Sequence, residues 1–255
     1  MATPAPYTPP FSLSEWLKFT CVPPRYYARY LVNKNLRKGE AELHILKDIV
    51  PVGRVAIDVG ANKGVYTLLL ADLASYVHAF EPNPKAYQWL NRSLPKNVSA
   101  YPLALSDTDG QSTLFLPQRG RGYSNQMGSL NSKKAESPHA AVPVEVKTLD
   151  SFAFENVGFI KIDVEGFEAE VLKGAEETLK RCKPTLLVEL EERHTGHSIE
   201  SSIAEIVARG YDAHFMRGDV LTPLSDFDPD TDHRAAVGKP SYIFNFIFLP
   251  RTLSQ

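Results

Sequence analysis

From residue 54 onward, short apolar runs alternate with segments whose apolar residues recur at helical spacing. The runs lack the in-out alternation of a half-exposed strand, which is typical of parallel strands buried on both faces. The predicted strands are residues 55–59, 76–80, 98–105, 159–164 and 185–190, and the predicted helices are residues 64–74, 84–94, 168–181 and 198–209. This order predicts an α/β fold, in which a mostly parallel sheet carries helices on both faces.

The segment before this pattern has a different character. Residues 1–12 contain four prolines and predict an irregular arm, whereas residues 13–50 have apolar residues at helical spacing. We therefore divide the chain into an N-terminal arm and helical cover, residues 1–50, and a main α/β domain, residues 51–255.

A less regular insertion interrupts the main domain. Residues 112–116 and 142–146 are predicted strands, and the segment between them, 117–141, is rich in Gly, Ser, Asn, Lys and Arg. Loops of that length in compact domains tend to be functional lids or disordered segments. The alternation then resumes, and residues 242–249 form a final apolar run.

Composition narrows the function classes. The 255 residues are 43% hydrophobic and 23% charged, with a net charge of -2, so no global field favours nucleic acid or an anionic membrane. No stretch approaches the roughly 20 apolar residues of a membrane span, and the first residues lack the pattern of a secretory signal. We expect a cytoplasmic protein without nucleic-acid or membrane partners; the sequence leaves its oligomeric state open.

The turn from the first strand into the next helix is the most informative segment. It reads Asp58-Val59-Gly60-Ala61-Asn62-Lys63-Gly64, and such strand-to-helix crevices bind ligands in open α/β sheets. A dinucleotide fingerprint would place glycines where Asn62 and Val65 stand. A carboxylate at Asp58 would repel pyrophosphate but attract an ammonium group. We therefore expect S-adenosylmethionine, bound near Asp58, Gly60, Asn62 and Gly64.

Two further acids follow the next two predicted strands. Glu81 stands where a carboxylate can accept hydrogen bonds from both ribose hydroxyls, and Asp107 where one can accept from the adenine amino group. Either acid alone could be a solvated strand end or a helix cap. Together with Asp58, they form a more specific constellation.

Candidate catalytic residues lie at the end of the fourth predicted strand and just past the fifth. Asp163 is the first choice for contact with the reacting groups, Glu165 lies beside it, Lys161 could pair with Asp163 or Glu189, and His194 could serve as a general base. For a metal, the sequence shows no compact binding motif. A divalent ion held by Asp163, Glu189 and Glu191 is possible but not indicated.

Several segments together resemble the FkbM family of methyltransferases. They are Ile57-Asp58-Val59-Gly60-Ala61-Asn62-Lys63-Gly64, Ala79-Phe80-Glu81-Pro82-Asn83-Pro84, Ala104-Leu105-Ser106-Asp107, Val146-Lys147-Thr148-Leu149-Asp150, Ile160-Lys161-Ile162-Asp163-Val164-Glu165-Gly166 and Glu170-Val171-Leu172-Lys173-Gly174-Ala175. The resemblance covers roughly residues 40–192. It implies a Rossmann-like class I methyltransferase fold with a seven-stranded sheet, S-adenosylmethionine as methyl donor, and O-methylation of a hydroxyl. Members act on sugars, polyketides and other secondary metabolites. Residues 125–130 match only part of a Ser-Gly-rich segment that many relatives carry.

Two other functions stay open at this point. One is a nicotinamide-dependent oxidoreductase, against which Asp58 and the absent second glycine count. The other is a catalytically silent module that binds S-adenosylmethionine or a partner protein. A silent site has no need to keep all of Asp58, Gly60, Glu81, Asp107 and Asp163.

Overall fold

The computed structural model describes residues 11–119, 122–123, 130 and 139–251. Most of the predicted 117–141 loop, including residues 125–129, lies outside these ranges. Within the described residues the α-helices are α1 (Leu13–Cys21), α2 (Pro24–Lys38), α3 (Glu42–Ile49), α4 (Val65–Ala71), α5 (Pro84–Leu90), α6 (Glu168–Lys173), α7 (Glu176–Cys182), α8 (Glu192–Thr195) and α9 (Ile199–Val207). The strands are β1 (Val55–Val59), β2 (Tyr76–Phe80), β3 (Val98–Tyr101), β4 (Ala104–Leu105), β5 (Gly110–Arg119), β6 (Gly122–Tyr123), β7 (His139–Lys147), β8 (Val157–Ile162), β9 (Thr185–Glu189), β10 (Tyr211–Arg217), β11 (Val220–Pro223) and β12 (Asn245–Pro250).

The central sheet has the order β11-β10-β12-β9-β8-β1-β2-β3. Five neighbouring strands pair in parallel, namely β3, β2, β1, β8 and β9. The remaining pairs are antiparallel: β12 with β9, β10 with β12, and β11 with β10. This confirms the predicted α/β architecture with a mostly parallel sheet. The carboxyl ends of β1, β2, β8 and β9 therefore meet at one edge of the sheet.

The sheet has eight strands, where seven were expected. The sequence prediction omitted β10 and β11. In β10, buried residues alternate with exposed or half-buried polar ones such as Asp212 and His214, so the strand lacks a continuous apolar run. Only pairing with β12 identifies it as part of the sheet.

The predicted third strand, residues 98–105, is in fact two strands. Val98–Tyr101 pairs with β2 in the central sheet, whereas Ala104–Leu105 pairs with β7 in a second sheet of order β4-β7-β5-β6. Pro102 stands at the break, and proline has no N–H to donate to a strand ladder. Asp107 therefore follows a strand of the second sheet.

The predicted helix at residues 168–181 is also divided in two. Gly174 follows α6, and a Cβ atom there would lie 1.9 Å from the Ser106 carbonyl oxygen. The chain needs glycine at this point because the segment after β4 passes directly over it.

Helices cover both faces of the central sheet. On one face, apolar side chains of α6, α7 and α9 pack against Ile57, Val59 and Ile160. On the other face, α3 and α4 pack against Ala56 and Phe159. The even-numbered positions of β1 thus face the helical cover.

Helices α1 and α2 approach the sheet at Trp89 of α5. The rings of Phe19 and Tyr27 lie 4.9 and 4.4 Å from the Trp89 ring, centroid to centroid. No helix of the described residues is both long and apolar enough to span a bilayer.

Glu42, the first residue of α3, carries a buried carboxyl group. Burial raises its pKa to about 7, with nearby Glu40 acting in the same direction. The folded state therefore holds this proton more tightly than the unfolded state. Glu42 costs no stability below about pH 4.5, its ordinary pKa, and costs increasingly more as the pH rises towards and through 7.

We expect Glu42→Gln to raise the melting temperature at pH 8 and to change it little near pH 5. A pKa of about 7 instead of 4.5 corresponds to roughly 3 kcal/mol for the ionised form, an upper bound for the gain at pH 8. Thermal unfolding at both pH values measures the difference. An equal gain at both would show that the charge is not the cause.

Candidate active site

The turn after β1 is built from three residues with positive φ. Gly60, Asn62 and Gly64 have φ of 78°, 50° and 85°. A Cβ atom on Gly60 would lie 1.8 Å from the Asp163 carbonyl oxygen, and one on Gly64 would lie 2.7 Å from Leu90 Cδ1. Both glycines thus allow other parts of the protein to pack closely against the turn. The sequence analysis had explained them by the approach of a ligand instead.

Asp58 lies beneath this turn, with no exposed surface. Its Oδ2 accepts a hydrogen bond from Thr67 Oγ1 at 2.5 Å, and its Oδ1 has no partner among the described residues. Burial raises the pKa of Asp58, while Lys161 and Thr67 oppose the shift. The predicted contact between Asp58 and a ligand ammonium stays a prediction, and Asp58 lines neither of the cavities described below.

Glu81 stands at the end of β2, and each of its carboxylate oxygens accepts a backbone hydrogen bond, one from the glycine turn and one from the segment before α5. Oε2 accepts from the Asn62 amide at 2.6 Å, and Oε1 accepts from the Asn83 amide at 2.8 Å. Burial raises the pKa of Glu81 to about 7 despite these bonds. Each oxygen keeps one lone pair for a further hydrogen bond.

Asp107 is held in an ion pair at the surface. Its Oδ2 lies 2.7 Å from Lys173 Nζ, and this hydrogen bond lowers the pKa of Asp107. The adjacent residues Ala104 and Leu105 line the first cavity, but Asp107 does not. Its predicted contact with an adenine amino group stays a prediction.

A first cavity of about 630 Å³, its open mouth included, lies over the ends of β1 and β2. Its walls combine apolar side chains with a few polar groups. They are Val59, Gly60, Asn62, Phe80, Glu81, Pro82, Asn83, Ala104, Leu105, Leu114, Leu130, Asp163, Val164, Glu165 and Phe167.

A second cavity of about 1310 Å³, its opening included, lies between the helical cover and the ends of β1, β8 and β9. Its walls are Lys18, Tyr27, Tyr30, Leu31, Lys34, Asn35, Glu40, Leu43, Gly60, Ala61, Asn62, Lys63, Val65, Tyr66, Lys161, Asp163, Glu165 and Glu189. Both cavities share Gly60, Asn62, Asp163 and Glu165, so the two spaces adjoin at these four residues.

Lys161 and Asp163 form an ion pair at this junction. Lys161 Nζ lies 2.9 Å from Asp163 Oδ2 and 4.7 Å from the centre of the Tyr66 ring. Burial acts to lower the pKa of Lys161, but Asp163, Asp58 and Glu40 together raise it. Lys161 is therefore a permanent cation, and it fixes one oxygen of Asp163.

Glu165 and His194 also meet. Glu165 has a left-handed backbone with φ of 57°, and its Oε2 lies 3.3 Å from His194 Nδ1. His194 lines neither cavity, so the structure places this predicted base behind Glu165.

Glu189 at the end of β9 lines the second cavity, although the sequence suggested it only as a partner of Lys161 or of a metal ion. Its pKa is raised by burial and by the charges of Asp163 and Glu165. One oxygen from each of these three carboxylates lies within 4.8 Å of the others. Glu189, Glu191 and His194 form a second set of this kind. Either spacing could hold a cation. The expectation that a metal is not indicated is neither confirmed nor contradicted by this spacing.

Comparison with known proteins identifies the family. The profile described as the Methyltransferase FkbM domain matches residues 58–215. The chain belongs to the FkbM methyltransferase family. The matched FkbM domain contains all the predicted site residues, from Asp58 to His194.

Three curated relatives of this FkbM protein are methyltransferases. Methyltransferase sdnD of Sordaria araneosa is 28% identical over 162 residues, which are 50% of this chain and 62% of sdnD. The 2-O-methyltransferase NoeI of Sinorhizobium fredii is 24% identical over 59% of this chain and 70% of NoeI. The hexuronic acid methyltransferase AglP of Haloferax volcanii is 29% identical over 61% and 67%. The chain thus matches less than two thirds of the length of sdnD.

Among solved structures, the chain is similar to Methyltransferase FkbM from Methylobacillus flagellatus KT. The TM-score is 0.49 and the sequence identity 15%, over 87% of this chain and 53% of that one.

Proposed function

We propose that this protein is an S-adenosylmethionine-dependent O-methyltransferase that acts on a hydroxyl group of a small molecule, either a sugar or a secondary metabolite. The observation that carries the proposal is the junction of the two cavities at Gly60, Asn62, Asp163 and Glu165. A methyl donor in the first cavity and an acceptor in the second would meet beside Asp163.

The first cavity fits the methyl donor. The free lone pairs of Glu81 suit two adjacent ribose hydroxyls, and apolar Phe80, Leu105 and Leu114 suit a flat base. Asn62 Oδ1 is buried with no partner among the described residues. An unsatisfied buried oxygen is costly, which is consistent with a bound ligand that donates to it.

Asp163 suits the acceptor side of the reaction. S-adenosylmethionine supplies a methyl group activated by its sulfonium. As the acceptor oxygen bonds to the methyl carbon and the carbon–sulfur bond breaks, the hydroxyl proton must leave. A carboxylate held by Lys161 at 2.9 Å can orient that hydroxyl and accept its proton. The products are a methyl ether and S-adenosylhomocysteine.

The names of two relatives support the kind of acceptor. NoeI is a 2-O-methyltransferase and AglP a hexuronic acid methyltransferase. Membership of the FkbM family counts against the nicotinamide-dependent alternative. The alternative of a catalytically silent module differs from the proposed methyltransferase only in that it would transfer no methyl group.

Calorimetric titration with S-adenosylhomocysteine, with NAD as the control, tests the cofactor. We expect micromolar binding of S-adenosylhomocysteine alone. A screen of hydroxylated sugars with labelled S-adenosylmethionine then tests methyl transfer. Binding of NAD alone would refute the proposal, and binding of S-adenosylhomocysteine without transfer to any acceptor would favour the silent module.

Glu81→Ala is expected to weaken S-adenosylhomocysteine binding roughly 10- to 100-fold, the size of lost hydrogen bonds to a charged group. The control is Glu155→Ala, which removes an exposed carboxylate outside both cavities. Calorimetry measures both affinities, and circular dichroism checks that both variants fold. Equal affinities would remove Glu81 from the methyl-donor site.

A further inference from the structure

The second cavity has walls of opposite charge. Three carboxylates, Asp163, Glu165 and Glu189, stand at the strand ends. The wall formed by the helical cover and the glycine turn carries three lysines, Lys18, Lys34 and Lys63, and one carboxylate, Glu40, which accepts a hydrogen bond from the Tyr66 hydroxyl. Because none of these three lysines lines the first cavity, their charges face the space assigned above to the acceptor.

Lys63 is the central member of the basic wall. It is half-buried, and its ammonium lies 5.5 Å from the centre of the Trp89 ring. Within the part of the chain that the structure describes, it makes no hydrogen bond or ion pair to a carboxylate. Burial lowers the pKa of Lys63; Lys85, Lys18 and Lys34 lower it further, and Glu15 opposes them.

Neighbouring Lys85, in contrast, forms an ion pair with a carboxylate of the protein. It is buried, and its Nζ lies 2.8 Å from Glu15 Oε2. Glu15 is thus paired with Lys85, and on that wall the three charges of Lys18, Lys34 and Lys63 outnumber the single carboxylate of Glu40. A half-buried cation in such surroundings is stabilised by an anion that the protein itself does not provide.

We propose that Lys18, Lys34 and Lys63 bind a carboxylate or phosphate group of the methyl acceptor, so that the acceptor is an anionic hydroxyl compound. This inference rests on the proposed function. The carboxylates on the opposite side repel the same anion. The acceptor is thereby oriented with its anionic group at the lysines and its hydroxyl at Asp163.

One other anion has the same chemistry, namely the carboxylate of the methyl donor's methionine part. Lys63 follows Asn62, which lines both cavities, whereas Lys18 and Lys34 belong to α1 and α2 and line only the second. We therefore assign the site to the acceptor. The donor's carboxylate is an outcome that the test must separate.

The first experiment titrates the protein, saturated with S-adenosylhomocysteine, with inorganic phosphate, glucuronic acid and glucose at constant ionic strength, and follows backbone amide NMR shifts. We expect phosphate and glucuronic acid to shift the amides around Lys63 and Lys34, and glucose to bind roughly tenfold more weakly than glucuronic acid. If phosphate leaves these amides unshifted, the anion site does not exist.

The second experiment repeats the phosphate titration on the triple variant Lys18→Gln, Lys34→Gln, Lys63→Gln. The control triple Lys47→Gln, Lys96→Gln, Lys239→Gln makes the same change in net charge at exposed positions outside the second cavity. We expect at least roughly tenfold weaker phosphate binding in the first triple and no change in the control. If the Lys63 substitution impairs folding, the double variant Lys18→Gln, Lys34→Gln replaces the first triple variant, because both of these residues are exposed.

Affinity for S-adenosylhomocysteine separates the two sources of the anion. We expect both triples to keep the wild-type affinity. A loss in the first triple alone would assign the lysines to the donor's carboxylate and overturn the inference. If the wild-type protein itself failed to bind S-adenosylhomocysteine, the proposed function would fail instead, whatever the phosphate titration showed.

Discussion

Asp163→Asn is expected to lower methyl-transfer turnover by about 10²- to 10⁴-fold, the usual contribution of a general base, while S-adenosylhomocysteine affinity stays close to that of the wild type. Asparagine keeps the shape of the side chain and can still accept a hydrogen bond from Lys161 Nζ, now 2.9 Å from Asp163 Oδ2. It cannot take up the hydroxyl proton. The defect should therefore appear in turnover and not in donor binding.

The measurement is kcat with an acceptor that the wild-type protein methylates, together with calorimetry for S-adenosylhomocysteine. Asp109→Asn is the matched control, because Asp109 lines neither cavity. If Asp163→Asn retained wild-type turnover, Asp163 would have no part in the chemistry, and Glu165 or Glu189 would become the first candidates.

Gly60→Ala is expected to destabilise the fold by about 4 kcal/mol. A non-glycine residue in a strained backbone region costs about 1–3 kcal/mol, and an overpacked atom typically costs about 1–3 kcal/mol more. Both costs apply here, because Gly60 has φ of 78° and its Cβ would lie 1.8 Å from the Asp163 carbonyl oxygen. Relief of that overlap would move Asp163 away from the junction, so turnover should also fall.

Gly53→Ala separates the two causes. Gly53 has φ of 73°, but a Cβ there would have no atom within 4 Å. This control therefore carries the backbone strain without the overlap, and we expect it to lose about 1–2 kcal/mol. Chemical denaturation of both variants gives the difference. Equal losses would mean that the approach of Asp163 to Gly60 is unimportant for stability.

The sequence predicted the fold class because buried parallel strands are nearly continuous apolar runs. Such runs identified β1, β2, β8 and β9, and the strand ends then located Asp58, Glu81 and Asp163. The method failed where exposure alternates, as in β10, and where Pro102 divides one apolar run between two sheets. Pairing partners decide those cases, and they are distant in the chain.

For the candidate site, too, the sequence determined some features and left others to the tertiary structure. The order of acids after strands is a property of the sequence, because every parallel strand ends at the same edge of the sheet. The sequence does not determine whether each of these acids faces a cavity. Glu81 and Asp163 do, whereas Asp58 is buried against Thr67, Asp107 is paired with Lys173, and His194 stands behind Glu165.

By itself, then, the sequence determined the α/β class, the resemblance to the FkbM family and the strand ends at which the site lies, since these depend on local apolar runs and short motifs. Only the tertiary structure brought Lys18 and Lys34 of the helical cover opposite Asp163 and Glu189, residues more than a hundred positions away along the chain. Such an arrangement depends on how helices pack over a sheet edge, and no local pattern of residues encodes it.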